Sequence, residues 1–201
     1  MSDFLNNLFE LQGKNRWAIA RTSVRKRIEK LQRLRKAIVK RQQEFYDAVW
    51  KDFHKPQTEA WLTEVFPVLQ EIDHTVNHLP DWMEDKDGSW SFLFPLNRSR
   101  SHFEPKGRVL LMAPWNYPFS LFASPLVAAI AAGNVVIAKP SHKTPHVAAF
   151  LESLFAEVFP QNEVAVVLGA GTELGDKLLA HPFDHVFFTG SPIVGAHVAE
   201  C

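Results

Sequence analysis

Four short polar or glycine-rich segments in the second half of the sequence stand where ligand chemistry is expected. Each of them follows a run of apolar residues with the length of a β-strand. The segments are 113–119, 139–142, 169–171 and 189–195. In parallel α/β sheets, ligands bind beyond the carboxyl ends of the strands, so the four segments are predicted to meet at one edge. This gathering indicates a nucleotide site.

The segment around Gly190 has the properties of a phosphate-binding turn. A helix that begins near Ser191 would offer free backbone N–H groups and a positive dipole end to a pyrophosphate. Gly190 would let a ligand approach the backbone closely, and Gly195 would let the helix pack tightly on the sheet. The spacing of these two glycines alone is common and unspecific.

Residues 169–175 come close to the dinucleotide-binding fingerprint without matching it. Three residues separate Gly171 from Gly175, where the fingerprint has two between its last glycines. A tight strand-to-helix turn explains this segment at least as well. Gly171 and Gly175 are nevertheless candidate cofactor-binding residues.

The elements that must position these segments follow from apolar periodicity. Residues 1–80 are predicted to be helical, 81–106 to form a turn and an irregular hairpin, and 107–201 to alternate strand and helix. The predicted fold class is α/β, with N-terminal helices followed by a Rossmann-like parallel sheet that helices cover on both faces. The predicted strands are 108–112, 134–139, 164–168 and 185–188, and the helices between and after them are 120–132, 144–159, 172–180 and 192–200, with Thr144 as the N-cap of the second.

Charge and composition narrow the classes of partner. The 201 residues carry 22 basic and 22 acidic side chains, which argues against nucleic acid or an anionic membrane as the main partner. Basic residues concentrate in 21–41, where they could bind RNA, a membrane or an acidic protein, but the solvated face of a packed helix is favoured. Glu64 and Asp73 in the following amphipathic stretch are expected to balance part of this charge.

Other features point to a globular protein without metal. Cys201 is the single cysteine, which excludes an internal disulfide and favours a reducing, cytoplasmic location. The apolar run 121–138 contains Pro125 and Gly133, so a buried helix, a turn and a buried strand are predicted rather than a membrane span. His74 and His78 have helical spacing, but no third ligand accompanies them, so no metal site is predicted.

Three strings in the same order and spacing make the chain resemble the aldehyde dehydrogenase superfamily. They cover 108–119, 131–141 and 187–191, and the run from Trp115 to Pro118 is similar to the branch of class 3, fatty aldehyde and coniferyl aldehyde dehydrogenases. The resemblance covers roughly residues 20–201, which match the front part of the family's length. It implies an incomplete aldehyde dehydrogenase fold, with the catalytic domain absent, and NAD(P)-dependent oxidation of an aldehyde to a carboxylate.

The resemblance also implies roles for single residues. Asn116 matches the amide that donates to the oxyanion formed when a thiolate attacks the aldehyde, and Lys139 matches the lysine that holds the adenosine ribose. On their own, Asn116 would be a turn residue and Lys139 a solvated lysine. The residues expected to contact NAD or NADP are Trp115, Lys139, Ser141, Gly171, Gly175, Gly190, Ser191, Pro192, Ile193, Val194 and Gly195.

The sequence departs from the family pattern in two places. His142 stands where NAD-preferring members often have a glutamate, so use of both NAD and NADP is predicted. The family's nucleophilic cysteine and general-base glutamate match positions after residue 201, and Cys201 falls too early to be the nucleophile. The chain alone is therefore expected to be inactive, and a non-catalytic nucleotide-binding or interaction module, or a degenerate gene fragment, is the alternative.

The family is typically a homodimer, and the aromatic segment from Trp90 to Phe94 matches its oligomerisation hairpin. The C-terminal arm that pairs with this hairpin has no counterpart in the sequence, so dimer formation is left open.

Overall fold

The N-terminal part of the chain is helical, as predicted. A computed structural model describes residues 2–88, 92 and 96–201. The helices are α1 (Ser2–Ala20), α2 (Val24–Lys40), α3 (Gln42–Phe53), α4 (Gln57–Ala60) and α5 (Phe66–Trp82), and a π-helical turn (Trp61–Val65) joins the last two. Among the described residues, no helix has the length and apolarity needed to cross a membrane.

A short antiparallel hairpin follows these helices. Strand β1 (Lys86–Asp87) pairs with β2 (Arg100–Ser101), which confirms the predicted hairpin within 81–106. Asp85, which precedes β1, contacts both Arg100 of β2 and His102 after it. The hydrogen bond between Asp85 and His102 lowers the pKa of the carboxyl and raises the pKa of the imidazole. Apart from Phe92, the aromatic segment from Trp90 to Phe94, which was expected to be the oligomerisation hairpin, lies outside the described residues.

The remaining strands form one parallel sheet. They are β3 (Arg108–Met112), β4 (Val135–Lys139), β5 (Val164–Val166) and β6 (His185–Phe188), in the spatial order β5-β4-β3-β6. Each is followed by a helix, and these are α6 (Ser120–Ala131), α7 (Pro145–Val158), α8 (Gly171–Leu179) and α9 (Pro192–Glu200). The predicted alternation is confirmed. β5 ends two residues earlier than predicted, although the Val167 amide still donates to the Ala138 carbonyl at 2.9 Å.

Helices cover both faces of this sheet, because alternate strand residues point to opposite sides. On β3, Val109 and Leu111 join a core built with α2, α3, α5, α6 and α7. Leu110 and Met112 join a second, smaller core that includes Leu5 and Leu8 of α1 together with residues of α8. The two-sided covering predicted from the sequence is confirmed.

The N-terminus of α7 lies where it was predicted, but a distant side chain caps it. Thr144 occupies the N-cap position and Pro145 begins the helix, as predicted, whereas the Thr144 hydroxyl makes no capping hydrogen bond and lies 3.4 Å from the Ser141 carbonyl. The cap comes from Asp52 on α3, whose carboxylate accepts from the amides of His146 (3.3 Å) and Val147 (2.9 Å). A carboxylate suits this place because it meets both the free amides and the positive end of the helix dipole.

Internal partners account for much of the basic charge on α2. Arg35 binds Asp73 through two hydrogen bonds of 2.7 and 3.1 Å, as expected for charge balance. Lys30 pairs with Glu163, and both side chains are mostly buried. These contacts fit the face of a packed helix better than a nucleic-acid surface.

Arg27 is the buried basic residue that joins three segments. Its guanidinium donates to the carbonyls of Ala20 (2.8 Å) and Ala131 (2.9 Å) and to the Thr22 hydroxyl (3.1 Å). Gly133 makes the turn between α6 and β4 at a φ of +87°, and a Cβ there would come within 2.5 Å of the guanidinium. The Arg27 side chain therefore ties the end of α1 and the start of α2 to the end of α6, just before the turn into β4.

Replacing Arg27 tests the contribution of these hydrogen bonds to stability. Arg27→Met should lower the free energy of unfolding by about 2–4 kcal/mol, because several buried acceptors lose their donor at once. The control is Arg33→Met on the same helix, where the side chain is exposed, and the expected change is below about 0.5 kcal/mol. Urea unfolding followed by circular dichroism measures both, and equal losses in the two variants would contradict the role of Arg27.

Candidate functional site

A cleft of about 710 Å³ opens at the carboxyl edge of the parallel sheet. Strand register explains its position, because Met112 of β3 pairs with Lys139 of β4 and with Phe188 of β6. Three strands thus end at the same level, and the loops after them begin side by side. The prediction that the four polar segments meet at one edge is confirmed.

Most of the predicted site residues line this cleft. They are Trp115, Asn116, Lys139, Ser141, Gly171, Gly175, Gly190, Ser191 and Val194. Pro192, Ile193 and Gly195 are not part of the lining, and the Ile193 side chain is 84% exposed. Gly195 instead lies over Phe188, where an added Cβ would make an ordinary contact of 3.4 Å with the ring.

Lys139 is the buried cation of the cleft. It is the last residue of β4, only 7% of its surface is exposed, and burial lowers the pKa of its ammonium group. No other described residue makes a hydrogen bond or an ion pair with this side chain. Lys139 is therefore mostly buried and not a freely solvated lysine at a strand end, and a ligand oxygen in the cleft would give its ammonium group an acceptor.

The start of α9 offers fewer donors than the sequence suggests. The helix begins after Ser191, as predicted, but the Ser191 hydroxyl already accepts from the Val194 amide at 3.4 Å. Pro192 has no N–H group, and the Gly195 amide bonds to the Ser191 carbonyl. A phosphate at this turn would therefore depend on the Ile193 amide and on rotation of the Ser191 hydroxyl.

Close packing explains two of the glycines in the 169–175 segment, Gly169 and Gly171. Neither Gly169 nor Gly171 has a positive φ, so the turn itself does not require glycine. A Cβ on Gly171 would lie 2.8 Å from the His142 ring, and one on Gly169 would lie 2.7 Å from Leu174. Gly175 faces open space in the cleft. Gly171 is therefore the residue that allows His142 to stand at the edge of the cleft.

Aromatic contacts hold the loop that carries Asn116. The Trp115 ring stacks on Phe53 with centroids 6.4 Å apart, and the Lys55 ammonium lies 4.8 Å from the centre of the Tyr117 ring. Asn116 lies between these two aromatic residues, is exposed and lines the cleft. Its amide is in a position to donate to a group bound there.

Cys201, His197 and Asp176 lie close together but lack the geometry of a catalytic triad. His197 Nε2 is 2.7 Å from the Asp176 carboxylate and 3.9 Å from Cys201 Sγ. Because the same ring nitrogen faces both partners, the imidazole cannot take a proton from sulfur while the carboxylate orients its other nitrogen. Cys201 is also absent from the lining of the cleft. Among the described residues, no group of three or more His, Cys, Asp or Glu side chains is arranged to hold a metal ion.

Comparison with known proteins identifies the family. The profile of the aldehyde dehydrogenase family matches residues 11–201. The chain belongs to the aldehyde dehydrogenase family. This confirms the resemblance carried by the three sequence strings.

Individual relatives of this aldehyde dehydrogenase chain match it along most of its length. It is 36% identical over 195 residues to a putative aldehyde dehydrogenase, AldX, of Bacillus subtilis (strain 168), covering 97% of this chain and 43% of that protein. It is 38% identical over 173 residues to the dimeric, NADP-preferring aldehyde dehydrogenase of Rattus norvegicus, covering 86% and 38%. The substrate-bound structure of Staphylococcus aureus AldH superposes with a TM-score of 0.94 at 36% identity, over 97% of this chain and 42% of that one. The chain thus spans less than half the length of these relatives.

The sequence patterns do not reveal the contact between two charged residues near the cleft, Glu64 and Lys55. Glu64 was expected to balance the basic helix, but it is fully buried and pairs with Lys55 at 2.7 Å. Its other oxygen accepts from the backbone amide of Phe119, 55 residues later in the chain. A glutamate within an amphipathic helix looks like a surface residue in the sequence, so only the tertiary contact reveals it.

The burial of Lys139 has a measurable effect on stability. Its pKa is lowered in the folded state, so the cost of burying the charge is fully present at low pH and disappears as pH rises toward the ordinary pKa of lysine. Lys139→Met should therefore raise the free energy of unfolding at neutral pH by about 1 kcal/mol. The advantage over wild type should shrink in urea titrations as the pH approaches the ordinary lysine pKa of about 10.5. A variant that is less stable than wild type at neutral pH would contradict this account.

Proposed function

We propose that this chain is the coenzyme-binding part of an NAD(P)-dependent aldehyde dehydrogenase, which oxidises an aldehyde to a carboxylate. The observation that carries the proposal is Lys139, a mostly buried lysine whose ammonium group has no partner among the described residues, at the edge of a cleft formed by the loops after four parallel strands. Membership of the family supports a nicotinamide dinucleotide as the ligand of this cleft. A dinucleotide at the carboxyl edge is also what the sheet geometry favours.

The residues of the cleft divide by chemistry into those suited to the sugar and those suited to phosphate. Lys139 and Ser141 present an ammonium and a hydroxyl, which can bind ribose oxygens. Gly190 and Ser191 lie at the start of α9, where the dipole favours a pyrophosphate. Trp115 and Val194 provide apolar surface on the walls. When bound, the nicotinamide ring accepts a hydride from the substrate.

Asn116 is proposed as the donor to the developing oxyanion. Attack on an aldehyde carbon places negative charge on the carbonyl oxygen, and an amide N–H held nearby stabilises that charge without having to reorganise. The exposed Asn116 side chain at the cleft is available for this role. The aldehyde itself would enter from the side of the cleft where Trp115 and Asn116 lie.

Coenzyme binding by the chain tests the proposal directly. NAD⁺ or NADP⁺ should bind in isothermal titration calorimetry and raise the melting temperature. Lys139→Met should weaken binding about 10- to 100-fold, because a charge-assisted hydrogen bond is lost inside the cleft. The control is Lys177→Met, which removes an exposed lysine that pairs with Glu173 on α8. Absence of binding to the wild-type chain, or an equal effect of both lysine variants, would count against the proposal.

We also propose that the cleft accepts NADP as well as NAD, and that His142 is the reason. The His142 ring stands beside Gly171 at the edge of the cleft and is exposed, so it brings no fixed negative charge to a 2′-phosphate. The relative from Rattus norvegicus is described as NADP-preferring.

Introducing a carboxylate at this position tests the role of His142. His142→Glu should reduce the affinity for NADP⁺ relative to NAD⁺ by about tenfold, since a like charge near the 2′-phosphate is repelled. His142→Gln is the neutral control and should leave the ratio of the two dissociation constants within about twofold of the wild-type value. Calorimetry with both coenzymes gives the ratios, and a ratio that does not change in His142→Glu would show that this side chain does not face the 2′ position.

A further inference from the structure

A π-helical turn places one buried carboxylate against the end of the loop that carries Asn116. Residues 57–82 form a continuous helix in which the Phe66 amide bonds to the Trp61 carbonyl, five residues back. Pro67, the second residue after this turn, has no N–H group, which favours the wider spacing. Glu64 lies within the turn and has no solvent exposure. The local widening therefore sets the direction of a charged side chain inside the protein.

The Glu64 carboxylate caps the helix that follows the loop. One oxygen accepts from the amides of Phe119 (2.9 Å) and Ser120 (3.3 Å), which are the first groups of α6. Phe119 stands at the N-cap position of this helix and cannot provide a side-chain cap itself. The other oxygen of Glu64 binds the Lys55 ammonium at 2.7 Å.

Lys55 extends this contact to the aromatic residues of the loop. Its ammonium lies 4.8 Å from the centre of the Tyr117 ring and 5.6 Å from that of Phe53. Phe53 in turn stacks on Trp115. One buried ion pair thus touches, directly or through a single ring, the residues on both sides of Asn116.

The backbone of the loop is anchored at its two ends. At the start, the Ala113 amide donates to the Lys139 carbonyl at 3.2 Å, which extends the strand pairing. At the end, the Phe119 amide donates to Glu64. None of the described residues makes a hydrogen bond to the Asn116 side chain between these points. The position of Asn116 is therefore set by its anchors and not by contacts of its own.

We propose that Glu64 and Lys55 are positioning residues that hold the Asn116 loop against the coenzyme cleft. The proposal rests on the function proposed above, since it assumes that the nicotinamide half of the coenzyme lies beside Trp115 and Asn116. Neither Glu64 nor Lys55 lines the cleft, so both act through the loop. Neither side chain of the pair contacts Lys139 or Ser141, so the proposed adenosine end of the cleft does not depend on this ion pair.

The main experiment compares two glutamine variants of the purified chain. Glu64→Gln keeps an amide oxygen but loses the charge that strengthens the cap and binds Lys55. The matched control is Glu163→Gln, because Glu163 also forms a mostly buried ion pair with a lysine, Lys30, at a distance from the cleft. Backbone amide exchange is measured by NMR at Phe119 and Ser120. The tighter-binding coenzyme is compared in calorimetry with its nicotinamide-free fragment, ADP-ribose or 2′-phospho-ADP-ribose.

Glu64→Gln should accelerate exchange at Phe119 and Ser120 by about tenfold, after correction for global stability. It should also reduce the affinity for the coenzyme relative to that for the fragment by about threefold or more, because only the nicotinamide half contacts the loop. Glu163→Gln should change neither quantity beyond its effect on global stability. A purely structural role for Glu64 would lower stability and leave the ratio of the two affinities as in wild type, which would overturn the proposal.

Should Glu64→Gln fail to fold, the double variant Lys55→Met with Glu64→Leu replaces the ion pair by apolar groups, so that no buried charge is left unpaired. Faster exchange and a smaller affinity ratio are again expected, and wild-type values for both would contradict the proposal. Failure of the wild-type chain to bind either ligand would refute the proposed function. The exchange measurement would still decide separately whether Glu64 anchors the loop.

Discussion

The in-register pairing of three parallel strands is the constraint on which the site depends. Met112, Lys139 and Phe188 occupy the same level of the sheet, so the loops that follow them leave side by side. Covering by helices on both faces makes this register strict, because a shift of one residue would turn the strand residues that face one core toward the other. Segments that are far apart in the sequence therefore form one cleft.

The same constraint places a binding group, Lys139, at the edge of the cleft. All five residues of β4 are buried, and the last of them is a lysine. A chain selected for stability alone would have an apolar residue there, as in the rest of the strand. The cleft instead has a cation with a lowered pKa and no partner in the described part of the chain, which is suited to a ligand with oxygen atoms.

The local pattern of the sequence predicts much of this architecture but little of the support around the site. The bounds of 108–112 and 185–188 agree with β3 and β6, because short apolar runs next to turn residues are strong signals. Thr144 stands at the N-cap of α7 as predicted, but Asp52, more than ninety residues earlier, supplies the capping oxygens. Glu64 was placed with the charges that balance α2. The roles of Asp52 and Glu64 are not visible in the sequence, since the direction of a carboxylate within a helix depends on a partner that is distant in the sequence.

The π-helical turn at Trp61–Val65 has a consequence for how related sequences should be aligned. Such a turn contains about one residue more than a regular α-helical turn, and each α-helical residue rotates the chain by about 100°. Deleting a single residue between positions 61 and 65 would restore a regular helix. The residues before the deletion, including α4, would then be rotated about the helix axis relative to α5. Glu64 could then keep its identity in an alignment and still point away from the start of α6. A one-residue gap at this place would therefore separate homologues with and without this carboxylate at the loop, even where every named side chain is present.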